Sequence, residues 1–337
     1  MLLFTAKKFL IMVGTLFALL AITFTISHVA PGDPAALAAG PDATEEMIQQ
    51  IREEFGLDKP LPVQFLIYVG GVLQGDFGTS IHTGREVVSD LARFFPATLE
   101  LVLFSILFAI AIAVPIGVIS AVRQNTITDH TLRLFSVAGV GLPMFWLGLM
   151  LQLFFALKLG WFPLGGRLGL LTDPPTTITG LYIIDSLLTL NFTTLLESLH
   201  HIVLPAVALC FPALASIARV NRAEMLEVLS QDYIVNAKAQ GLSKFRIVAI
   251  YALRNAMLPT MAMIGLRFGW MLGGTVLVES VFNWPGVGLY AVEAAVASDF
   301  EPIVAVTVLL GFMFMLANLA IDIVYGILDP RVRGANI

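Results

Sequence analysis

The chain has 337 residues, of which 58% are hydrophobic and only 13% are charged, and its mean hydropathy is +0.88. Soluble domains are roughly 45–50% apolar and about 25% charged, so the composition predicts a protein that resides in lipid. The formal net charge of −5 is less informative, because the placement of charge matters more than its sum in membrane proteins. The single cysteine, Cys210, excludes disulfides and cysteine-based zinc sites within the chain, and we expect it to be a buried apolar side chain.

Six apolar segments are long enough to cross a bilayer, which takes about 20 mostly apolar residues. They lie at 9–29, 97–122, 134–157, 201–219, 257–279 and 302–326. Lys7 and Lys8 precede the first segment, but its apolar run is longer than the ~7–15 residues of a signal peptide and no clear cleavage site follows, so we expect a retained span. The partly apolar run 181–196 is interrupted by polar residues, and we predict that it lies outside the membrane and forms a short lateral helix.

The distribution of Lys and Arg predicts that both termini lie in the cytoplasm. Twelve of the 19 Lys and Arg residues then fall in cytoplasmic segments and six in exterior segments, while Arg267 lies within the fifth span. This excess agrees with the positive-inside rule. The sequence therefore predicts an all-α polytopic protein in five parts: a first span (1–30), an exterior segment (31–96), a five-helix core (97–326), a cytoplasmic loop within that core (220–256) and a cytoplasmic tail (327–337).

The exterior segment 31–96 predicts three amphipathic helices. The first begins after an N-cap at Thr44 and ends at Gly56, the second covers about 62–73, and the third covers about 87–95 and lies in the interface before the second span. The segment contains ten Asp and Glu residues but only four Lys and Arg residues. This surface is either a docking face for an exterior partner or an ordinary solvated surface.

Motifs for nucleotide chemistry and metal binding are missing from the sequence. It contains no Gly-x-x-x-x-Gly-Lys-[Ser/Thr], no His-Glu-x-x-His and no Gly-x-Ser-x-Gly. His200 and His201 are adjacent and point to different helix faces, so they favour a role at the end of the fourth span over a metal site. We therefore predict no catalytic residue, no metal, no cofactor in this chain and no nucleic-acid partner.

A polar, basic island at 230–246 stands out between the fourth and fifth spans. Ser230 is a predicted helix N-cap, and Gly241 is a predicted left-handed helix end, after which a second helix begins at Ser243. The small side chains of Ala237 and Ala239 give this helix a slim surface that could enter a groove on a soluble protein. The alternative is a plain basic cytoplasmic loop.

Two stretches of this loop, residues 233–242 and 252–259, resemble the EAA loop of permeases in binding-protein-dependent ABC importers, and in particular the dipeptide, oligopeptide and nickel branch. The general pattern is Glu-Ala-Ala-x-x-x-Gly, a gap and then Ile-x-Leu-Pro. This chain has Val235, Asn236 and Ala237 at the Glu-Ala-Ala positions and a long gap before Leu258, which suits the peptide branch better than a sugar permease. Further similar segments are Pro31–Pro34, Phe55–Pro60, Gly75–Ser80, Pro96–Leu101, Asp129–Thr131, Leu142–Trp146, Glu279–Gly288 and Leu328–Arg333. The 158–200 loop looks most like that of the dipeptide permease subunit.

The resemblance implies a type I ABC importer permease with six transmembrane helices in the bacterial inner membrane. It implies a homologous second permease subunit, two ATP-binding subunits that hold ATP-Mg, and a periplasmic or extracellular solute-binding protein, all assembled around a permease embedded in lipid. The implied substrate is a short peptide, most simply a dipeptide, and the same machinery in this branch also handles nickel chelates, haem and antimicrobial peptides. The implied ATPase-coupling residues are Tyr233, Asn236, Ala237, Ala239, Gly241, Leu242, Leu258 and Pro259. A stand-alone channel and a membrane-embedded enzyme are the alternatives from other classes.

Arg267 is an unusual residue, because it lies about ten residues into the fifth span. A charge at that depth costs at least ~2.5–3.5 kcal/mol on insertion scales, so we expect it to face protein or water. Gly265 and Gly269 flank it and are expected to leave room nearby. Two interpretations stay open: a structural pair with a carboxylate, from Asp322 or from the partner permease, and a cation in the translocation cavity.

Overall fold

In the computed structural model the chain is almost entirely α-helical across the residues that the structure describes, which are 2–29, 43–54, 58–169 and 171–328. The helices are α1 (Leu2–Val29), α2 (Glu45–Glu54), α3 (Leu61–Gln74), α4 (Val87–Val122), α5 (Ile127–Gly141), α6 (Met144–Leu151), α7 (Tyr182–Leu188), α8 (Phe192–Leu229), α9 (Asp232–Ala239), α10 (Lys244–Arg246), α11 (Leu253–Phe282), α12 (Val287–Val296) and α13 (Phe300–Leu328). Two π-helical stretches, Gln152–Lys158 and Ile247–Ala252, continue α6 and precede α11. This confirms the predicted all-α fold class.

Within the described ranges, five helical stretches are long and apolar enough to cross a membrane. They are Lys8–Thr25, Val87–Val122, Phe192–Leu229, Lys244–Phe282 and Phe300–Ile321. The predicted span 134–157 is not one helix, because α5 ends at Gly141 and α6 begins at Met144. Pro143 lacks an amide hydrogen and disfavours a helical conformation at the residue before it, and Leu142 is extended, with φ −83° and ψ 126°.

The exterior helices follow the sequence pattern except where they meet the second span. The amide of Met47 donates to Thr44 Oγ1 at 3.4 Å, which confirms the predicted N-cap of α2. The predicted end at Gly56 lies outside the described residues, as do the Pro31–Pro34 segment and the tail from residue 329. The prediction of a separate interfacial helix at 87–95 was wrong, because this segment is the start of α4 and the helix continues through Pro96. A proline removes only one helical hydrogen bond, so it need not end a long apolar helix.

Packing of the backbone divides the chain into two compact units. The first contains Met1–Lys8, Phe95–Leu289 and Met313–Ile337, and the second contains Phe9–Phe94 and Tyr290–Phe312. In the second unit, Phe65 packs edge-on against Phe17 and Phe24. Asp299 is fully buried in the same unit and accepts hydrogen bonds from Ser80 Oγ at 2.7 Å and from the His82 amide at 3.0 Å.

The first unit is built around α8, the most enclosed of the five candidate spans. Helix α8 packs against α11, α5, α6 and α7. Its buried side chains, which include Leu209 and Ile217, form one apolar core with Leu101 from α4 and with Leu272 from α11. Cys210 is buried in this core, as the sequence predicts.

Buried polar side chains fix the loops at the exterior end of this unit. Glu279 is fully buried and accepts hydrogen bonds from Thr98 Oγ1 at 2.7 Å and from the Leu289 amide at 3.0 Å. The indole of Trp284 donates to the Ala97 carbonyl at 2.9 Å. The end of α11 and the turn after it are therefore bound to α4, by Glu279 and by Trp284. These bonds explain why the polar Glu279 lies at the end of an apolar helix.

The predicted lateral helix in 181–196 is α7, and Asp185 organises the turn before it. Asp185 accepts hydrogen bonds from the amides of Thr179 at 2.8 Å and Gly180 at 2.9 Å. Burial acts to raise the pKa of Asp185, but these donors outweigh it and lower the pKa below its usual value. Nearby, Arg167 donates to buried Glu100 at 2.5 Å and stacks 3.5 Å above the ring of Tyr182. This last pair was not predicted from the sequence.

Candidate functional site

Helix α9 begins directly after α8 in the cytoplasmic loop, and its N-terminus differs from the prediction. Ser230 closes α8 instead of opening α9, because its hydroxyl donates to the Glu227 carbonyl at 2.7 Å. The N-cap of α9 is Gln231, whose side chain makes no capping bond. Asp232 lies in the first turn of α9, where a negative charge is favourable. The predicted cap at Ser230 was wrong, because a serine can also bond back to the preceding helical turn.

The C-terminal end of α9 follows the prediction. Gly241 has a φ of +76°, the left-handed conformation that a residue without a side chain adopts most easily. Its amide donates to the Lys238 carbonyl at 3.0 Å. Ser243 then caps α10 by accepting a hydrogen bond from the Arg246 amide at 3.4 Å. Helix α9 therefore ends and α10 begins at the predicted positions.

One face of α9 is buried against the first unit itself. Ile234 and Ala237 lie three residues apart and are 0% and 5% exposed. They belong to a cluster, which we call the inner cluster, made of Ala121, Met225, Ile234, Ala237, Ile247, Ala252 and Ala256. Leu242 packs against this cluster and is half-buried. The small size of Ala237 therefore allows α9 to lie close to its own subunit.

The remaining surface of the loop is exposed and carries apolar side chains. We call Tyr233, Val235, Asn236, Ala239 and Phe245 the outer face. Val235 is 54% exposed and Phe245 is 80% exposed. The hydroxyl of Tyr233 accepts a hydrogen bond from Asn255 Nδ2 at 2.8 Å, which fixes the ring of Tyr233 beside the first turn of α11.

The sequence-predicted coupling residues are thus divided between different environments. Tyr233, Asn236, Ala239 and Gly241 are exposed, Ala237 is buried, and Leu258 and Pro259 are half-buried on the separate helix α11. Sequence reasoning missed Phe245 and Asn255. An aromatic residue between Lys244 and Arg246 was the available signal for Phe245, since a solvated basic loop does not need an aromatic side chain.

A charged pair lies beside the inner cluster and joins three helix ends. Asp129 is fully buried and accepts hydrogen bonds from Arg222 Nε at 2.7 Å and Arg222 Nη2 at 2.8 Å. Ser120 Oγ donates to the same carboxylate at 2.5 Å and the Asn125 amide donates at 3.0 Å. The hydrogen bond from Arg222 is the main reason why the pKa of Asp129 is held well below its usual range.

This pair adjoins the cluster that supports α9. Ala121 of the inner cluster directly follows Ser120 in the sequence, and Met225 of the same cluster lies three residues after Arg222. The ends of α4, α5 and α8 are therefore fixed to each other. The Asp129–Thr131 segment carried the resemblance, whereas Ser120 and Arg222 were missed.

Arg267 is half-buried in α11, and its Nε atom is buried without a hydrogen-bond partner in the described part of the chain. The expectation that Gly265 and Gly269 leave room nearby was wrong. A side chain at Gly265 would overlap Ile321, and one at Gly269 would overlap Phe314, because α13 packs directly on this glycine face. Small residues often allow such close approach of membrane helices.

Comparisons with known proteins agree with this architecture. Residues 113–334 match the family described as binding-protein-dependent transport system inner membrane component, and residues 1–102 match its N-terminal family. The chain is 46% identical over 311 residues to the probable D,D-dipeptide transport system permease protein DdpB of Escherichia coli K12, covering 92% of each chain. It is 37% identical over 333 residues to the dipeptide transport system permease protein DppB of Alkalihalophilus pseudofirmus, covering 99% of this chain and 100% of that one.

A solved structure shows the same fold. It is a chain of the MetNI methionine ABC transporter in an inward-facing conformation, with a TM-score of 0.54 and 18% sequence identity, and the match covers 71% of this chain and 96% of that chain. The family matches together extend over most of the sequence. This chain therefore belongs to the family of inner membrane components of binding-protein-dependent transport systems and is a multi-pass membrane protein of the inner membrane.

Proposed function

We propose that this chain is one permease subunit of an ATP-driven importer that carries dipeptides across the inner membrane. The observation that carries the proposal is the similarity along nearly the whole chain to permeases named for dipeptide and D,D-dipeptide transport. The partners of the proposed complex are a homologous second permease, two ATP-binding subunits and a solute-binding protein outside the membrane. ATP-Mg is bound and hydrolysed in the ATP-binding subunits, so this subunit is not itself an enzyme.

The outer face is the proposed contact with an ATP-binding subunit. It combines exposed apolar side chains, among them Val235 and Phe245, with a short helix whose end is set by Gly241. Exposed apolar patches on soluble surfaces often mark protein interfaces. Aromatic residues such as Tyr233 and Phe245 are also typical of interface centres.

The inner cluster is the proposed route by which movement of α9 reaches the membrane. Ile234 and Ala237 pack on Met225 of α8 and Ala121 of α4, and the ion pair of Asp129 with Arg222 fixes the same helix ends. A displacement of α9 would therefore be transmitted to buried side chains of α8 and α4. Closely packed groups transmit displacement because they have little free volume.

Reconstitution of the whole importer tests the proposal. The permease would be expressed with the subunits encoded alongside it, placed in proteoliposomes and supplied with the solute-binding protein, ATP-Mg and radiolabelled dipeptide. We expect ATP-dependent accumulation of dipeptide, and no accumulation with this permease subunit alone. Uptake of a nickel chelate or haem in place of the dipeptide would contradict the proposed substrate. Transport without the ATP-binding subunits would favour a stand-alone channel.

A further inference from the structure

We propose that α3 lies within the bilayer, in the exterior leaflet by the predicted topology, and that one of its sides contacts lipid acyl chains. This surface goes beyond the proposed function, because it would be the same for any substrate. Helix α3 has 14 residues, and none of them is charged. At ~1.5 Å per residue the helix is ~21 Å long, too short to cross a hydrocarbon core of ~30 Å. Such a helix can instead lie in the plane of the membrane with an apolar side in the acyl region.

Contacts with α1 place α3 below the end of the first span. The ring of Phe65 lies 5.5 Å from the ring of Phe17 and 5.3 Å from the ring of Phe24. The membrane-crossing part of α1 ends at Thr25. Along the helix axis, Phe24 is ~1.5 Å and Phe17 is ~12 Å from that end. Phe65 contacts both rings, so its side chain lies within the thickness of the hydrocarbon core.

Contacts with α13 give α3 the same depth. Phe65 and Val72 pack against a small apolar core to which α13 contributes Val304 and Val308. The membrane-crossing part of α13 begins at Phe300. At ~1.5 Å per residue, Val304 is ~6 Å and Val308 is ~12 Å inside this span. Two separate spans of the second unit therefore indicate one level for α3.

Both ends of α3 lie near the membrane surface. Gly75 ends the helix in the left-handed conformation, with φ +80°. A side chain at Gly78 would lie 3.4 Å from Cγ of Glu301, which is in the first turn of α13. The charged residues that flank α3 are exposed, namely Asp58, Lys59 and Asp76. Because charged side chains avoid the hydrocarbon core, the helix between them lies along the membrane and not across it.

The sides of α3 differ in chemistry. Phe65 and Val72 are seven residues apart, so they share the packed side to within ~20°. Leu66 and Leu73 lie about 100° further around the helix, and they are 66% and 81% exposed. Gln64 lies about 100° in the opposite direction. The packed side is therefore flanked by an apolar side and by a polar side, which is the arrangement expected at a boundary between lipid and water.

Lipid is the occupant that fits the apolar side of α3. No residue of α3 offers a charge to a soluble partner, and its other exposed large apolar residues are Leu61, Val63 and Ile67. At the same depth, α1 exposes Phe17 and Ile22. The apolar side of α3 therefore continues the exposed apolar surface of the first span. The competing occupants are the solute-binding protein and the second permease subunit.

Spin labelling of the complete importer in lipid nanodiscs tests this proposal. Single cysteines are introduced as Leu66→Cys, Leu73→Cys, Gln64→Cys and Gln49→Cys in a Cys210→Ser background, and each is labelled with a nitroxide. Electron paramagnetic resonance measures collisions of the label with oxygen, which concentrates in lipid, and with chromium oxalate, which stays in water. We expect the ratio of oxygen to chromium oxalate collisions to be several-fold higher at positions 66 and 73 than at Gln49, an exposed residue of α2. The ratio at Gln64, on the polar side, should be close to that at Gln49.

Two other results would overturn the proposal. The same ratio at Leu66 as at Gln49 would show that the apolar side of α3 lies in water. Low collision rates with both reagents at Leu66 would show that a protein covers it. Recovery of these rates without the solute-binding protein would identify that protein as the cover, and unchanged low rates would indicate the second permease subunit.

A matched pair of acidic variants provides a second readout in the chain that keeps Cys210. Leu66 is exposed, so Leu66→Asp would change little if this side of α3 were in water. In lipid the new charge is costly, so hydrogen–deuterium exchange of the α3 amides in nanodiscs should rise for Leu66→Asp and stay as in wild type for Gln64→Asp. Equal exchange in the two variants would contradict contact with lipid. Neither readout uses transport, so an importer that moves no dipeptide would refute the proposed function and leave this surface in place.

Discussion

Two alanines of α9 provide a matched pair for testing the coupling site. Ala237 is 5% exposed and belongs to the inner cluster, whereas Ala239, two residues later, is exposed on the outer face. The same substitution, alanine to leucine, therefore adds atoms to a packed interior at one position and to a surface at the other. The two variants separate the folding of the loop from its binding to a partner.

The expected magnitudes follow from the two environments. Adding carbon atoms to a well-packed interior costs ~1–3 kcal/mol. Because ~1.4 kcal/mol is a factor of ten, Ala237→Leu should raise the open population of α9, the fraction of molecules in which α9 is detached from the inner cluster, about 5-fold to 150-fold. A surface substitution changes stability by at most ~0.5 kcal/mol, so Ala239→Leu should change that population by about twofold or less. Hydrogen–deuterium exchange of the α9 amides measures these populations.

Binding of the ATP-binding subunits completes the test. Both variants should co-purify with less of these subunits than wild type, Ala237→Leu because α9 is displaced and Ala239→Leu because the contact surface is blocked. Wild-type exchange in Ala237→Leu would refute the packing role of the inner cluster. Normal co-purification of Ala239→Leu would show that the outer face is not where the partner binds.

Three further predictions concern the ends of α9, the buried ion pair and the topology. Gly241→Ala should weaken coupling, because the left-handed conformation costs about 1–2 kcal/mol for a residue with a side chain, and Gly241→Asn should be milder; equal ATPase stimulation in both would contradict this. The lowered pKa of Asp129 means that its ionised form stabilises the fold at neutral pH and that this stability is lost as the pH falls below about 4. Wild type should therefore lose thermal stability more steeply than Asp129→Asn between about pH 5 and pH 3, and parallel curves would argue against the pair. A cysteine at Gly334 should react with a membrane-impermeant maleimide from the cytoplasmic side, and labelling from outside would overturn the predicted topology.

The sequence predicted the fold wherever a local signal determines local structure. Gly241 and Ser243 end and begin helices because of their own backbone and hydroxyl chemistry, which needs no tertiary partner. Hydropathy located the long apolar helices for the same reason. Pro143 interrupts the predicted span 134–157, and hydropathy missed this break because it averages over a window of residues.

Long-range packing was not predictable in the same way. Ala237 and Ala239 are the same residue type in the same short helix, and the packing of the inner cluster decides that Ala237 is the buried one. The partner of Asp129 is Arg222, 93 residues away, and composition gives no sign of that pairing. The register of α8 against α11 is likewise set by a hydrogen bond between Asn221 and Thr260, which lie 39 residues apart in the sequence.

The length of α8 has a mechanical consequence. Its 38 residues form a rod of ~57 Å, nearly twice the ~30 Å of a bilayer core. A tilt of about 10° around its midpoint would move each end by ~5 Å in opposite directions. Asn191 caps one end, and the other end carries Arg222 and leads into α9. A helix of this length connects the cytoplasmic loop directly to the exterior loop, so a tilt of α8 would displace both ends together.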